Sequence, residues 1–371
     1  MAKQDHMKKL FLFLAVSILS FSAFSQSAVF YVSGKVIDAV TKAPMQAASV
    51  FAQNTTQGAV TDAEGNFRIG LPNGGYDLVI TFTGYQTETR RISAGDANDK
   101  PMVIELKLKE KALEDVVITS SSEVKDGWTK YGDFFLESFI GKTDNSKSCT
   151  IKNKDAIHFY FSKKRNRLKV TATEPIQIAN EALGYNIKYT IDSFTYEYNT
   201  QVTLYTGYPL FEEMLSTDTA KQNLWVANRL KAYKGSMLHF MRSLYNKKLK
   251  DEGFEIQFLV KNDDKETAVT LPNFYAAMNY SKDDTTQTVD VLPNQNSVAI
   301  LYKKDTPEKT YLDANPDEPA KFQLTTLLFA PGESIVVEQN GYYYEQTDIT
   351  INQYLSWKKM ADMLPYDFKT P

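Results

Sequence analysis

The sequence predicts a mainly β protein with an α+β C-terminal part. It expects an N-terminal antiparallel, immunoglobulin-like β-sandwich and then a second β-rich domain with several helices. Three observations carry that expectation. Between residues 28 and 110, about seven short strand-like runs follow one another at the close spacing of a sandwich. Turn-forming residues separate them, above all Asp62-Ala63-Glu64-Gly65 and Pro72-Asn73-Gly74-Gly75. From residue 126 onward, strand runs mix with stretches whose apolar residues recur every three or four positions.

The first module reads in order as follows. A strand over 29–37 is broken by Gly34, and Thr41-Lys42-Ala43-Pro44 makes a turn. Strands follow at 47–51, 59–61, 67–69, 76–82, 87–92 and 102–108. Asp62 can bond its own backbone two residues on, and Gly65 accepts a positive φ, so 62–65 is read as a hairpin turn rather than a calcium loop. Pro72 to Gly75 is read as a second hairpin loop. Leu78, Ile80 and Phe82 alternate with Val79, Thr81 and Thr83, and the first set is expected to face the core.

Five motifs fall in a familiar order: Gly34-Lys35-Val36-Ile37-Asp38, Thr41-Lys42-Ala43-Pro44, Ala48-Ser49-Val50, Thr61 to Phe67, and Phe82-Thr83-Gly84-Tyr85. Over roughly residues 30–108 the chain resembles the carboxypeptidase regulatory-like domain of exported Bacteroidetes proteins. That resemblance implies a transthyretin-like sandwich that is an accessory domain with no catalytic residues of its own. The next segment, Lys111-Ala112-Leu113-Glu114-Asp115-Val116-Val117-Ile118-Thr119, resembles the connector that follows this module in TonB-dependent receptors. The residues behind it are too few for a membrane barrel of about 22 strands, so the receptor reading is set aside and the segment reads as a final strand plus linker.

The expected organisation is a signal peptide at 1–26, the regulatory-like sandwich at 27–110, a linker at 111–125 and an uncharacterised α+β domain at 126–371. Lys8 and Lys9, the apolar run 10–19 and the small residues after it make the secretory pattern. No later apolar stretch is long enough to span a membrane. The mature chain is therefore expected to be exported, to the periplasm or the outer-membrane surface, without a transmembrane helix. A net charge of −3 argues against nucleic acid as a partner. The single cysteine, Cys149, has no internal disulfide partner and reads as a buried, inert thiol.

In the second region, residues 128–140 are expected to form a helix with Trp128, Tyr131, Phe135 and Phe139 on one packing face. Tyrosine-rich strands are expected at 157–161, 168–173, 176–179, 185–198 and 202–208. Two helices follow, at 220–233 with Leu224, Trp225 and Leu230 inside, and at 236–251 with a solvated basic face and Gly253 as its stop. Strands are then expected at 254–260, 267–271, 286–292, 297–302, 322–329, 334–338 and 342–346, and a closing helix at 353–364. The stretch from Tyr233 to Asn246, with Glu252-Gly253-Phe254, and the stretch from Met360 to Pro365 resemble an uncharacterised Bacteroidetes family that follows this sandwich.

Motifs for chemistry are sparse. The three histidines are His6, His158 and His239, and neither of the later two begins a His-x-x-Glu pair: Phe161 and Arg242 stand three residues on. There is no Gly-x-Ser-x-Gly elbow and no phosphate-binding loop. Cys149 and His158 are near enough in sequence to raise a thiol–imidazole pair, and Glu212-Glu213 is the most suggestive acidic pair, read as surface acids at a helix start. No residue is assigned as catalytic, cofactor-binding or metal-binding, and no cofactor is expected. The leading expectation is a non-catalytic binding or structural protein of the cell envelope that works through protein or glycan contacts. The alternatives are a hydrolase of peptide or glycan with its residues in 126–371, and an accessory partner of an outer-membrane TonB-dependent receptor.

Overall fold

The computed structural model describes residues 29–94, 101–109, 123–263, 265–344 and 346–371. The expected signal peptide and residues 111–122 of the expected linker lie outside the described residues.

The sandwich has strands β1 (Val29–Asp38), β2 (Ser49–Ala52), β3 (Gly58–Val60), β4 (Asn66–Pro72), β5 (Gly75–Thr81), β6 (Glu88–Ser93) and β7 (Met102–Leu106). One sheet runs β4-β1-β7 and the other β3-β2-β5-β6. All pairs are antiparallel except β1 with β7, which is parallel. Gly34 does not break β1. The strand runs through it, with Gly34 opposite Phe67 on one side and Met102 on the other.

Neither turn motif closes a hairpin. Residues 62–65 carry the chain from β3 to β4, and 72–75 from β4 to β5, so each crosses between the two sheets. Turn chemistry reverses the chain locally but does not choose the strand with which the next segment pairs. The chemistry itself is as expected. The Asp62 carboxylate accepts from the N–H groups of Glu64 (3.1 Å) and Asn66 (2.7 Å), and these bonds, Asn66 first, hold its pKa below the usual range.

Val36, Val50, Ile69, Tyr76, Leu78 and Ile80 form the sandwich core. Val79 points away from that core, as the alternation requires, yet it is fully buried, like its cross-strand neighbour Phe51. Beside them, a Cβ added to Gly58 would meet both Phe51 and Leu210, so the later region covers this outer face.

Residues from 123 onward enclose two hydrophobic cores. The first lies on a six-stranded sheet of β8 (Cys149–Ile151), β9 (Ile157–Ser162), β10 (Arg167–Ala172), β11 (Ile176–Asn180), β12 (Tyr185–Glu197) and β13 (Val202–Glu213). The order is β8-β11-β12-β10-β9, with β13 along the other side of β12. Helix α1 (Gly127–Phe139) packs on this sheet. Its aromatic stripe is a packing face: Phe135 and Phe139 are fully buried, edge to face with Phe194 at 5.1 Å and Tyr189 at 4.8 Å respectively.

Helix α2 (Thr219–Tyr233) begins at Asp218, whose side chain accepts from the N–H groups of Ala220 and Lys221. Leu224, expected inside, is 57% exposed. The inner face is Trp225, Arg229 and Ala232 instead, because the helix docks on the backbone of the 181–184 turn. Trp225 Nε1 donates to Glu181 O (2.9 Å), Asn228 Nδ2 to Ala182 O (2.8 Å), and Arg229 to Leu183 O (2.7 Å) and Gly184 O (2.9 Å). Four carbonyls of one turn are thus satisfied by one helix. Trp225 lies so close that a Cβ on Gly184 would sit 2.3 Å from the indole.

The single helix expected over 236–251 is two: α3 (Met237–Tyr245) and α4 (Leu249–Glu252). A Schellman motif ends the first, with Lys247 N–H bonded to Leu244 O, Lys248 N–H to Ser243 O, and Lys247 at φ 54°. Lysine rather than glycine occupies the left-handed position, so the sequence carries no stop signal there. Lys247, Lys248 and Lys250 are exposed, and Gly253 ends α4 at φ 94°.

The second core lies under a five-stranded sheet, order β15-β14-β18-β19-β21, and a three-stranded one, order β16-β17-β20. These strands are β14 (Phe254–Asn262), β15 (Lys265–Val269), β16 (Ser281–Asp283), β17 (Thr288–Val291), β18 (Ser297–Tyr302), β19 (Gln323–Phe329), β20 (Ile335–Val337) and β21 (Ile349–Gln353). The strand expected at 342–346 reduces to a single bridge, Val337 to Tyr343. The helix expected at 353–364 reduces to one α-helical turn, Tyr354–Trp357, and a separate 3-10 turn, Met360–Asp362. Beyond it the chain is held by remote segments: Ala361 N–H donates to Ile140 O (3.0 Å) and Asn180 Nδ2 to Ala361 O (2.9 Å).

Candidate binding cleft

The sequence-level candidates for chemistry do not converge. Cys149 and His158 stand on β8 and β9, the two ends of the sheet path. β8 pairs with β11 and β9 with β10, and the two strands do not pair with each other. Burial, and next the Asp362 charge, push the Cys149 thiol up to about 12, so it is a poor nucleophile near neutral pH. It is half-buried rather than fully buried. His158 Nδ1 lies 2.9 Å from Glu123 Oε1 on the protein surface.

His239 is buried among Tyr233, Phe254 and Tyr302. Gly235 N–H donates to its Nδ1 (3.1 Å), which leaves Nε2–H to face Glu252 Oε2 at 3.3 Å. Burial lowers its pKa, against the pull of Glu252. Glu212 and Glu213 end β13 rather than start a helix, so their side chains point to opposite faces. Glu213 lies 3.3 Å from Arg229.

A third cluster, not legible in the sequence, holds Glu308, Lys358 and Asp362 around a cavity of about 240 Å³. Burial raises both carboxyl pKa values and lowers that of Lys358. Asp362 spends both oxygens on the frame, Oδ2 on Thr143 Oγ1 and Oδ1 on Asn145 Nδ2, each at 2.8 Å. It ties the chain's last segment to the loop after α1, beside the first core. Among the described residues no group of three or more His, Cys, Asp or Glu is placed to hold a metal ion.

The side chains that do converge line a cleft between the sandwich and the later region. The junction is built on Asn54, at φ 55°. Its N–H donates to Pro209 O (2.7 Å), its C=O accepts from Tyr366 N–H (2.7 Å), and Phe211 N–H donates to Thr55 O (2.8 Å). Asp367 accepts from Thr56 N–H (3.0 Å) and Gln57 Nε2 (3.0 Å). Asn340 Nδ2 donates to Gly75 O (3.0 Å), and only glycine fits at 75, since a Cβ there would lie 2.7 Å from Glu338. Arg242 on α3 ties this corner together by donating to Asn340 O and Tyr366 O, both at 2.9 Å.

The resulting cleft is about 570 Å³, within the range of ligand sites, which favour such domain junctions. Its sandwich wall is Gln53, Asp77 and Arg91, its floor is Tyr205 to Pro209 of β13, and its far wall carries Tyr342 and Tyr366. Tyr342 donates its hydroxyl to Asp77 (2.9 Å), and Arg91 stacks over Tyr344 at 4.0 Å. Burial pushes the Tyr205 and Tyr366 phenols up to about 12 and raises those of Tyr208 and Tyr342 as well. The hydroxyls therefore stay protonated, able to donate and accept beside apolar rings. Tyr205 and Tyr208 were visible beforehand as members of a tyrosine-rich sheet. Asp77, Arg91, Tyr342 and Tyr366 carried no signal, because they come from segments more than 250 residues apart.

The chain is an N-terminal β-sandwich joined to a larger β-rich region. Residues 32–118 match the CarboxypepD_reg-like domain family, so the N-terminal module is a carboxypeptidase regulatory-like domain, as its motif order implies. Among curated proteins, the TonB-dependent receptor SusC of Bacteroides thetaiotaomicron is 34% identical over 126 residues, which is 34% of this chain and 12% of the receptor. The chain thus spans only a small part of that receptor's length. Two solved structures align at low similarity. Catechol 1,2-dioxygenase from Acinetobacter sp. ADP1 is 13% identical over 24% of this chain and 55% of its own, with a TM-score of 0.18. A membrane-associated protein of unknown function from Bacteroides fragilis NCTC 9343 is 12% identical over 88% and 98%, with a TM-score of 0.17. Scores this low carry no argument. No helix among the described residues is long and apolar enough to cross a membrane, which leaves strands untouched as a means of crossing.

Proposed function

We propose that this chain is an exported, non-catalytic protein of the cell envelope that binds a protein or glycan in the junction cleft. The observation that supports it is the set of protonated phenols gathered with Asp77 and Arg91 where the regulatory-like domain meets the rest of the chain. Such a surface supplies apolar area and neutral hydrogen-bonding groups together. The similarity to SusC fits an envelope setting. The test is to immobilise the full chain, offer it peptide libraries and neutral hexasaccharides, and repeat with Tyr208→Ala. Retention that falls with Tyr208→Ala supports the reading. Hydrolysis of a probe by the purified chain, lost in Glu308→Gln, would instead favour a hydrolase.

A second reading makes the chain an accessory partner of a TonB-dependent receptor. It is favoured by the match to SusC, which is longer than the domain match. If deletion of residues 111–119 leaves receptor pull-down unchanged, that reading fails.

A further inference from the structure

The floor of the cleft is also the edge of a sheet. β13 pairs with β12 along its whole length, from Tyr185 opposite Glu213 to Glu197 opposite Val202. On its other side, Pro209 O accepts from Asn54 N–H and Phe211 N–H donates to Thr55 O. Odd-numbered residues of β13 therefore turn their backbone groups away from β12. By the alternation of a strand, Thr203, Tyr205 and Gly207 do the same. Gly207 O accepts Gln53 Nε2 at 3.4 Å, in keeping with that direction. Among the described residues no strand pairs with β13 on this side between Val202 and Thr206.

Open edges are usually guarded by charge or proline. The outer strand β6 carries Glu88, Arg90 and Arg91, and β15 carries Lys265 and Glu266. Val202 to Phe211 carries no charged residue, and Pro209 sits where the sandwich already covers the edge. Leu204 is 63% exposed and Val202 44%. Sandwich residues 54–55 already bond to this edge, through one parallel bridge between Thr55 and Leu210. Toward the start of β13 from there, Tyr205 to Pro209 line the cleft.

We propose that the open edge of β13 binds an extended segment of a partner protein as an added strand, continuing the pairing that Asn54 and Thr55 begin. The proposal rests on the cleft being the binding site and names its ligand class: an uncharged polypeptide segment held by main-chain hydrogen bonds, with apolar side chains beside Val202 and Leu204.

To test it, random dodecapeptides on phage are selected against the immobilised full chain. Enriched sequences are then titrated as free fluorescein-labelled peptides by anisotropy. Binding should weaken at least about tenfold when alternate backbone amides of the peptide are N-methylated, and by a similar factor in Leu204→Lys. Thr203→Pro removes one outward N–H without touching the β12 ladder and should give an independent loss. Melting curves of both variants separate lost binding from lost folding; if Thr203→Pro melts early, Leu204→Lys and the N-methylated peptides decide. Enriched peptides that tolerate N-methylation and Leu204→Lys overturn the added strand and leave the cleft reading standing, as does binding of neutral hexasaccharides in place of peptides. Absence of both peptide and hexasaccharide binding overturns the two together. Self-association of the chain that Leu204→Lys abolishes assigns the edge to a second copy and overturns the peptide proposal.

Discussion

In the sandwich, Val36, Val50, Leu78 and Ile80 make an apolar core, and away from the junction residues Asn54 and Thr55 the buried polar groups bond within the sandwich. Asp38 accepts from the N–H groups of Val40 and Thr41, and Thr61 Oγ1 donates to Met45 O. The region from residue 123 onward buries Arg229, His239 and Asp362 as well, and two of the three bridge segments remote in sequence. Arg229 reaches back to the 183–184 backbone, and Asp362 to Thr143 and Asn145. A module whose internal polar contacts are local carries its identity in short motifs. A region whose polar contacts are remote does not, and the cleft belongs mostly to that second kind.

The contrast can be broken by asking whether the two regions unfold separately. Phe135→Ala empties the first core of the later region and should cost about 3–5 kcal/mol in denaturant melts, and Leu78→Ala in the sandwich about 2–5 kcal/mol. If the Asn54, Asn340 and Asp367 contacts make the regions one cooperative unit, both variants shift the same transition. Two transitions, each moved by one variant, would show that the junction is weak.

Arg229→Ala tests whether remote polar contacts hold the later region. It strips the guanidinium donor from Leu183 O, while Gly184 O keeps Met214 N–H (2.9 Å), and should cost about 1–3 kcal/mol for the one buried carbonyl left unpaired. A loss below about 1 kcal/mol would mean that Trp225 and Asn228 suffice to dock α2.

A smaller effect is expected from pH. Burial holds the folded pKa of His239 below its ordinary value, despite Glu252, with Lys304 and Arg242 adding to the depression. The unfolded chain therefore takes up the proton first. This contribution to stability is whole above about pH 6.5 and falls as the pH drops toward the folded value. Urea midpoints at pH 7.5 and 5.5 should separate more in the wild type than in His239→Gln. Equal separations would remove His239 from the pH response.

The smallest effect is expected at Leu224→Lys, within about 0.5 kcal/mol, because that side chain is exposed. A large loss would restore the inward face that its spacing suggested.

Much of the secondary structure was legible because its causes are local. The aromatic spacing from Trp128 to Phe139 makes one helical stripe, and the alternation in β5 puts Leu78 and Ile80 on one face. Errors fell where the cause is distant or unmarked. Lys247 takes a position that glycine usually signals, so α3 and α4 read as one helix. Residues 358–362 look amphipathic, yet bonds to Ile140 and Asn180 hold them extended or in a short turn. Leu224 lies outside and Arg229 inside because the helix docks its donors on the 181–184 carbonyls.

The sequence by itself determined the sandwich and its family, through turn residues and alternations whose physics acts over a few positions. It also determined most strands, because a period of two survives whatever the partner. Only the tertiary structure decided that the turns at 62–65 and 72–75 cross between sheets, since pairing is chosen by strands elsewhere in the chain. It alone brought Asp77, Arg91, Tyr342 and Tyr366 beside the edge of β13. Hydrogen bonds among segments hundreds of residues apart assemble that cleft, and no local pattern records them.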